Sequence, residues 1–472
     1  MKPIRWIIGL AIAAIVLCAA YFIVDKNASD KEKKEQIGNA KSLFSFDGTQ
    51  ITKVTLDNDD GYFAFEWDAE NGAWILTSAE QFNLNTYVVA TICNYFCSLN
   101  TEKTVAFDCQ ETELYGFDHP VTVKVFTTER GEENPYVLYV GDSTPTFNAY
   151  YAMVPDSNDV YTIGYTEGSV FCSAKDMLKN LYLFDTYSTQ VTEFEMFRGD
   201  VLTIALERNK DYTWIMTKPK PFAINHASVT DLMDVLVRVM IQGFVEENPT
   251  DLAKYGLAEP AYRIKVKGLS PAGHPMESEI WFGDMISDAA DETQMYGYFT
   301  ESKQVFRVNR AEVSFLENET FDYVLSYCAD IEIKDVSKLN VNLGDLYDMD
   351  TTLTVDYANE QYSIDGIDID ALKDDDIMTL YQDFYRAITD LRISAIDLNA
   401  VPSGESAAEI IYTHPDGTET HLTFIPQASN NFYLMVNGQY SYFTVRLNRF
   451  TGSTGLVKAY EALMYALESK QK

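Results

Sequence analysis

Histidine is scarce in this chain, and the signatures of familiar chemistries are missing. The five histidines, His119, His226, His274, His414 and His421, stand singly, and no HExxH pair occurs, so a hydrolytic zinc centre has no ligand set to draw on. The six cysteines include no CxxC, and no Cys/His cluster has zinc spacing. A serine nucleophile needs an elbow of the GxSxG kind. Neither Gly268-Leu269-Ser270-Pro271 nor Gly404-Glu405-Ser406 has that spacing. Walker A and GxGxxG loops are absent too. The chain is therefore expected to be no enzyme and to carry no cofactor or metal.

Basic residues are also in short supply. There are 36 Lys and Arg against 71 Asp and Glu, a formal net charge of −35. Such a surface repels phosphate backbones and anionic headgroups, so nucleic-acid binding is excluded as an expectation. Solubility accounts for the charge, and binding of a cation or a basic partner is the sharper reading. Two acidic runs invite a calcium reading. Asp57-Asn58-Asp59-Asp60-Gly61 lacks the Gly position and closing Glu of an EF-hand loop and reads as a hairpin turn. Asp374-Asp375-Asp376 precedes a helical pattern, where acids cap the helix and complement its dipole.

What is present begins at the N-terminus. Trp6 to Val24 are nineteen uncharged, mostly apolar residues preceded by Lys2 and Arg5. That length approaches the roughly 20 residues that span a bilayer, and the flanking charge places the N-terminus in the cytoplasm and the bulk outside the cell membrane. A cleaved signal peptide is the competing reading, with Ala19 and Ala20 as small residues, but Tyr21-Phe22-Ile23-Val24 continues the apolar run. A lipid anchor on Cys18 would follow Leu17 rather than a small residue. Residues 25–46 read as a polar tether. Of the other cysteines, Cys93 and Cys97 are four apart in a helical pattern, and Cys109, Cys172 and Cys328 are isolated. They read as mostly buried small hydrophobes, with a Cys93–Cys97 bond as an alternative of exacting geometry.

The rest of the chain repeats itself. At an offset of 140, Thr52 matches Thr192, Trp74 matches Trp214, Phe82 matches Phe222, Asn85 matches Asn225, Tyr115-Gly116 matches Tyr255-Gly256, and Pro120 matches Pro260. Gly141-Asp142 pairs with Gly283-Asp284 at 142, and Val160-Tyr161 with Val305-Phe306 at 145. A diverged third copy shows Tyr433 to Val436 against Tyr151 to Val154, and Phe443-Thr444 against Tyr161-Thr162, at offset 282. It has no counterpart to Tyr-Gly…Pro or Gly-Asp. Neither His119 nor His226 recurs: Glu259 and Thr86 stand in their places. The expected domains are an anchor (1–24), the tether (25–46), and repeat units at 47–187, 188–331 and 332–472.

Each unit reads as an α+β, β-rich module: three strands, an amphipathic helix, then further strands in hairpins, with one sheet face on the helix. The helices carry Val88, Val89, Ile92, Phe96 and Leu99, then Val229, Leu232, Leu236 and Val239, then Ile377, Leu380, Tyr381, Phe384, Ile388 and Leu391 on one face. Ser228 and Asp231 have capping-box spacing, and Ala174 to Leu183 reads as a short linking helix. Gly141-Asp142 and Gly283-Asp284 are expected in tight turns with glycine at positive φ, Tyr115-Gly116 and Tyr255-Gly256 in packed turns, and Trp74 and Trp214 in cores.

Tyr115-Gly116…Pro120, Tyr255-Gly256…Pro260, Val140-Gly141-Asp142 and the N-terminal anchor together resemble the domain-of-unknown-function family numbered 4340. The resemblance implies a bacterial envelope protein without assigned chemistry. Some members look like companions of ABC-type export systems, which implies transporter subunits as partners. A non-enzymatic scaffold or accessory subunit is thus expected, with a ligand-binding module for a cation, peptide or glycan as the alternative.

Overall fold

The computed structural model describes residues 39–470, apart from 71, 79–81, 156, 272, 287–292 and 429. The expected anchor and most of the tether lie outside these residues. Among the described residues no helix is long and apolar enough to cross a membrane.

The first copy contributes β1 (Ile51–Asn58), β2 (Gly61–Asp68), β3 (Ala73–Leu76), helix α1 (Thr86–Phe96), β4 (Lys103–Ala106), β5 (Val121–Thr127), β6 (Tyr136–Ser143), β7 (Ala149–Met153) and β8 (Val160–Gly164). They form an antiparallel sheet in the order β3-β2-β1-β5-β6-β7-β8-β4. Helices α2 (Tyr165–Phe171) and α3 (Lys175–Leu178) follow. The second copy repeats the pattern with β9 (Val191–Arg198), β10 (Val201–Arg208), β11 (Trp214–Lys218), α4 (His226–Leu236), β12 (Gly243–Glu247), β13 (Tyr262–Leu269), β14 (Pro275–Met285), β15 (Gln294–Phe299) and β16 (Gln304–Asn309). Its order, β11-β10-β9-β13-β14-β15-β16-β12, is the same strand for strand.

The third copy comprises β17 (Lys338–Asn342), β18 (Asp350–Asp356), β19 (Gln361–Ile364), β20 (Ile367–Asp368), α5 (Asp375–Thr389), β21 (Ala395–Ile396), β22 (Ala408–Thr413), β23 (Glu419–Gln427), β24 (Asn431–Val436) and β25 (Gln439–Arg446), closed by α6 (Leu456–Lys470). Its order, β20-β19-β18-β17-β22-β23-β24-β25-β21, adds one edge strand to the shared plan. Tyr433 and Phe443 fall on β24 and β25, the equivalents of β7 and β8 that hold Tyr151 and Tyr161. The chain is thus β-rich α+β with three antiparallel sheets. Contact density divides it into two compact units, one running to Leu202 and taking up Leu232–Leu316, the other Thr203–Asp231 and the chain from Glu317 onward.

Alternation explains the first core. Val54 and Leu56 on β1, Phe63 and Phe65 on β2, and Val123 and Val125 on β5 are buried, and they cluster with Val89, Ile92 and Phe96 of α1. Each such side chain contributes about 1.5–3 kcal/mol relative to exposure. The buried helix positions recur as Val229, Leu232 and Leu236 in α4 and as Ile377, Tyr381, Phe384 and Ile388 in α5. Asp374 caps α5 as expected, accepting from the amides of Asp376 and Ile377. The α4 cap differs from expectation. Asn225 accepts from the amides of Ala227 and Ser228, so Ser228 lies inside the helix and forms no capping box.

The segment leading into each copy has one job throughout. The amide of Leu43 donates to Leu99, that of Leu183 to Val239 and that of Cys328 to Leu391, at 2.8–2.9 Å. Thr101 donates back to Lys41, Ile241 to Leu181 and Ile393 to Ser326. Each lead segment is therefore pinned to the chain just after its own copy's helix. The preceding residues also reach back to the previous copy: Asn85 donates to Leu178, and Asn225 to Tyr323, both at 2.8 Å. This explains two departures from expectation. The linking helix is only Lys175–Leu178, because from Lys179 the chain turns extended to make these bonds. Phe44 and Phe46, at the end of the expected tether, stack on Phe96 and Tyr136 at 4.4 and 4.3 Å.

Candidate functional site

The recurring Tyr-Gly and Gly-Asp pairs come together. A 3-10 turn at Thr112–Tyr115 ends on Gly116, at φ +81°, and a matching turn at Ala253–Tyr255 ends on Gly256, at φ +67°. Glycine takes this left-handed conformation without a side-chain penalty. A Cβ on Gly116 would lie 2.6 Å from the Asp142 backbone nitrogen, and one on Gly256 2.8 Å from that of Asp284. Gly141 and Gly283 face the turns from the other side. A Cβ on either would run into the carbonyl oxygen of Tyr115 or Tyr255.

The expected tight turn at Gly-Asp is thus corrected. Both pairs sit inside strands, β6 and β14, where the register shifts between Val140 and Ser143 and between Phe282 and Met285. Neither Gly141 nor Gly283 has positive φ. The glycine is needed at a bulge because another backbone approaches closely. Above the contact, Tyr115 packs edge-on to Tyr151 at 4.8 Å, and Tyr255 tilts against Tyr296 at 4.9 Å. Pro120 and Pro260 lie just before β5 and β13. Trp74 and Trp214 are buried. Trp74 pairs across the hairpin with Trp67 at 5.6 Å, whereas the guanidinium of Arg208 covers Trp214 at 4.9 Å.

The histidines remain apart. His414 bonds the Asp335 carbonyl and the Thr420 hydroxyl, and His421 meets Glu419 at 2.9 Å. Among the described residues no three His, Cys, Asp or Glu side chains gather as a metal site. Cys93, Cys97, Cys109, Cys172 and Cys328 are free thiols. Burial pushes Cys93 and Cys172 up to about 12, and Cys328 upward as well.

A cleft of about 760 Å³ is lined by Phe82, Asp185, Glu247, Phe299, Ser302 and Lys303, among others. Burial holds the Asp185 carboxyl above its ordinary value, with Asn180 opposing. The Ser302 hydroxyl is buried without a hydrogen-bond partner among the described residues. At one side Glu247 binds Lys179 at 2.6 Å and Lys175 at 2.8 Å. Lys179 is only 3% exposed, also meets Asp176 at 2.8 Å, and lies 4.4 Å from the centre of the Phe244 ring. Burial alone would raise the Glu247 carboxyl, but the two lysines outweigh it and hold it below its ordinary value. None of these groups is visible as a site in sequence, because Asp185, Glu247 and Ser302 come from separate, unmarked loops and strand ends.

No curated protein and no solved structure matches the chain. A family model described as "Domain of unknown function (DUF4340)" matches twice, over residues 74–260 and 214–407. The matches begin at Trp74 and Trp214, the same point of consecutive copies, and together cover more than half of the chain. On these two matches, the chain belongs to the DUF4340 family.

Proposed function

We propose that the chain is a non-enzymatic scaffold or accessory subunit of the bacterial envelope, held in the membrane by residues 6–24 and working with a protein partner. Subunits of an ABC-type export system are the partner class that the family resemblance favours. The reading rests on one observation: the residues that recur between copies, Tyr115-Gly116 against Gly141-Asp142 and Tyr255-Gly256 against Gly283-Asp284, serve close backbone packing. Repetition here supports an architecture rather than a repeated reaction centre. Crosslinking the native protein in its own membranes and identifying what co-purifies tests it. Recovery of transporter subunits, lost when a soluble secretion signal replaces residues 1–24, is the expected result. Recovery of the chain alone sinks the reading.

The cleft at Asp185 favours a second reading, an extracytoplasmic module that binds a cation, peptide or glycan. A thermal-shift response to calcium or to envelope glycans, removed by Asp185→Ala, would support it. No response to any of them would rule it out.

A further inference from the structure

The first two copies part company at the tip of one hairpin. The loop between β2 and β3 ends on Gly72 at φ +63°, and the loop between β10 and β11 ends on Tyr212 at φ +61°. The positions correspond, each standing two residues before the shared tryptophan, Trp74 or Trp214. Glycine enters this left-handed conformation freely, whereas a bulky side chain is strained there. Packing does not account for the tyrosine, because the residue is 80% exposed. The tip is also firmly held. The Asn209 side chain accepts from the amides of Asp211 and Thr213 at 2.9 and 3.0 Å, and the Asn209 carbonyl accepts from the Tyr212 amide at 3.0 Å. A strained ring kept in solvent on a rigid tip has the form of an interface anchor.

The two hairpins also differ in charge. Residues 61–78 hold three acids, Glu66, Asp68 and Glu70, and no Lys or Arg, a net of −3. The equivalent residues 201–218 hold two acids, Glu207 and Asp211, against Arg208, Lys210 and Lys218, a net of +1 in a chain of net −35. Glu66 is paired with Lys53 at 2.8 Å, and Glu70 and Lys210 stand exposed at their tips. Both hairpins end on an edge strand, since β3 and β11 close the same side of equivalent sheets. Each edge shows solvent an isoleucine at the same position, Ile75 or Ile215, and Trp67 is exposed beside β3. An edge strand with apolar side chains in solvent is a template on which another chain can pair.

We propose that the chain associates with a second copy of itself through these hairpins, the β10–β11 tip of one molecule, with Tyr212 and Lys210, docking on the β2–β3 edge of another, with Trp67, Glu70 and Ile75. Charge selects this pairing. Two β2–β3 hairpins set acid against acid, whereas the crossed arrangement sets +1 against −3. At physiological ionic strength charges beyond about 8 Å are screened, so this local balance rather than the net charge governs the contact. The two patches are different surfaces, so the interface is heterologous and builds a ring or an open row of molecules. The inference is independent of the transporter-subunit reading, since it concerns contacts between identical chains.

Photocrosslinking of the full chain in its own membranes, with p-benzoylphenylalanine in place of Tyr212, tests the contact. Irradiation is expected to give a product of twice the chain's mass, with the crosslinked peptide drawn from β2–β3. No product of that size overturns the proposal, as does a crosslink to a different protein, to lipid or to another part of the chain. Sedimentation of the full chain in detergent adds a second reading. Tyr212→Gly is expected to weaken self-association about tenfold or more, as loss of an interface anchor does. The same variant should melt no lower than the native chain, because glycine relieves the left-handed strain. Lys210→Glu, an exposed change, should weaken association as well. Unchanged association in either variant overturns the proposal, whatever the melting temperature.

Discussion

A single methyl group on Gly141 tests the close contact that recurs in the first two copies. Gly141 lies in β6 without positive φ. At such a site Gly→Ala ordinarily stabilises by about 0.4–1 kcal/mol, because the unfolded chain loses freedom. Here the methyl would run into the Tyr115 carbonyl oxygen, with the Tyr115 carbonyl carbon at 3.1 Å and Phe117 Cε1 at 3.2 Å. The obstacle is backbone, held in a turn that ends on Gly116, so no rotamer relieves it. Either the turn lifts and Tyr115 leaves Tyr151, or the bulge in β6 flattens. Overpacking of this kind costs about 1–3 kcal/mol, which leaves a net loss of about 1–2 kcal/mol after the entropic gain is set against it. Gly283→Ala meets Tyr255 in the same way and should cost a similar amount. Amide hydrogen exchange localises each effect. Gly141→Ala should raise exchange in β5 and β6 about 5- to 30-fold and leave β13 and β14 unchanged, and Gly283→Ala should do the reverse. If either variant exchanges as slowly as the native chain or more slowly, the close approach is not what requires glycine.

Other expectations follow from the same geometry. Asn225→Ala should destabilise by about 1 kcal/mol in urea titration, as loss of a helix cap does, whereas Ser228→Ala should stay within about 0.5 kcal/mol; the opposite ranking would restore the capping box. Glu247→Ala strips the 3%-exposed Lys179 of its shortest ion pair, and should cost about 2–3 kcal/mol, below the value for a fully buried pair because Asp176 and water remain. Because Glu247 is held below its ordinary carboxylate value when folded, its contribution is complete above the unfolded carboxylate range near 4.3 and fades as pH falls through the folded value. Native and Glu247→Gln urea midpoints should therefore converge in acid, and a gap that persists at pH 2 would contradict this. In thiol labelling at pH 8, Cys93, Cys172 and Cys328 should stay unmodified until the chain is denatured, and mass spectrometry of labelled peptides reads the outcome.

Much of the fold was legible in the sequence because periodicity and identity survive where packing requires them. Trp74 and Trp214, and the alternation around Val54 and Phe63, located the sheets, and three helix faces were readable from Val89, Val229 and Ile377. The third copy was found from Tyr433 and Phe443, which occupy strands equivalent to those of Tyr151 and Tyr161. The placement of Gly141-Asp142 was not legible. Glycine followed by aspartate has the composition of a turn, and only the distant carbonyl of Tyr115 shows that the glycine serves a crossing backbone. The cap at Asn225 was missed because Ser228 and Asp231 offered the more familiar spacing. The end of the linking helix was hidden for the same reason as the Glu247–Lys179 pair: its cause lies 60 or more residues away, at Val239 to Glu247.

The third copy separates two layers of information in the chain. It lacks both the Tyr-Gly and the Gly-Asp elements, yet its strands take the same order, with one edge strand added. The close contact is therefore not what specifies topology; buried alternation and the pinned lead segments Leu43, Leu183 and Cys328 are common to all three copies and suffice for it. The contact instead fixes one turn against one bulged strand in the copies that keep it. The third copy, which lacks it, also carries bulky hydroxyls at Tyr381 and Tyr385 on its helix, and a cavity borders them. Restoring smaller side chains by Tyr381→Val and Tyr385→Cys should leave the strand order intact, as judged by unchanged exchange protection in β22 and β23. Loss of that protection would mean that the tyrosines, rather than the shared plan, hold the third sheet together.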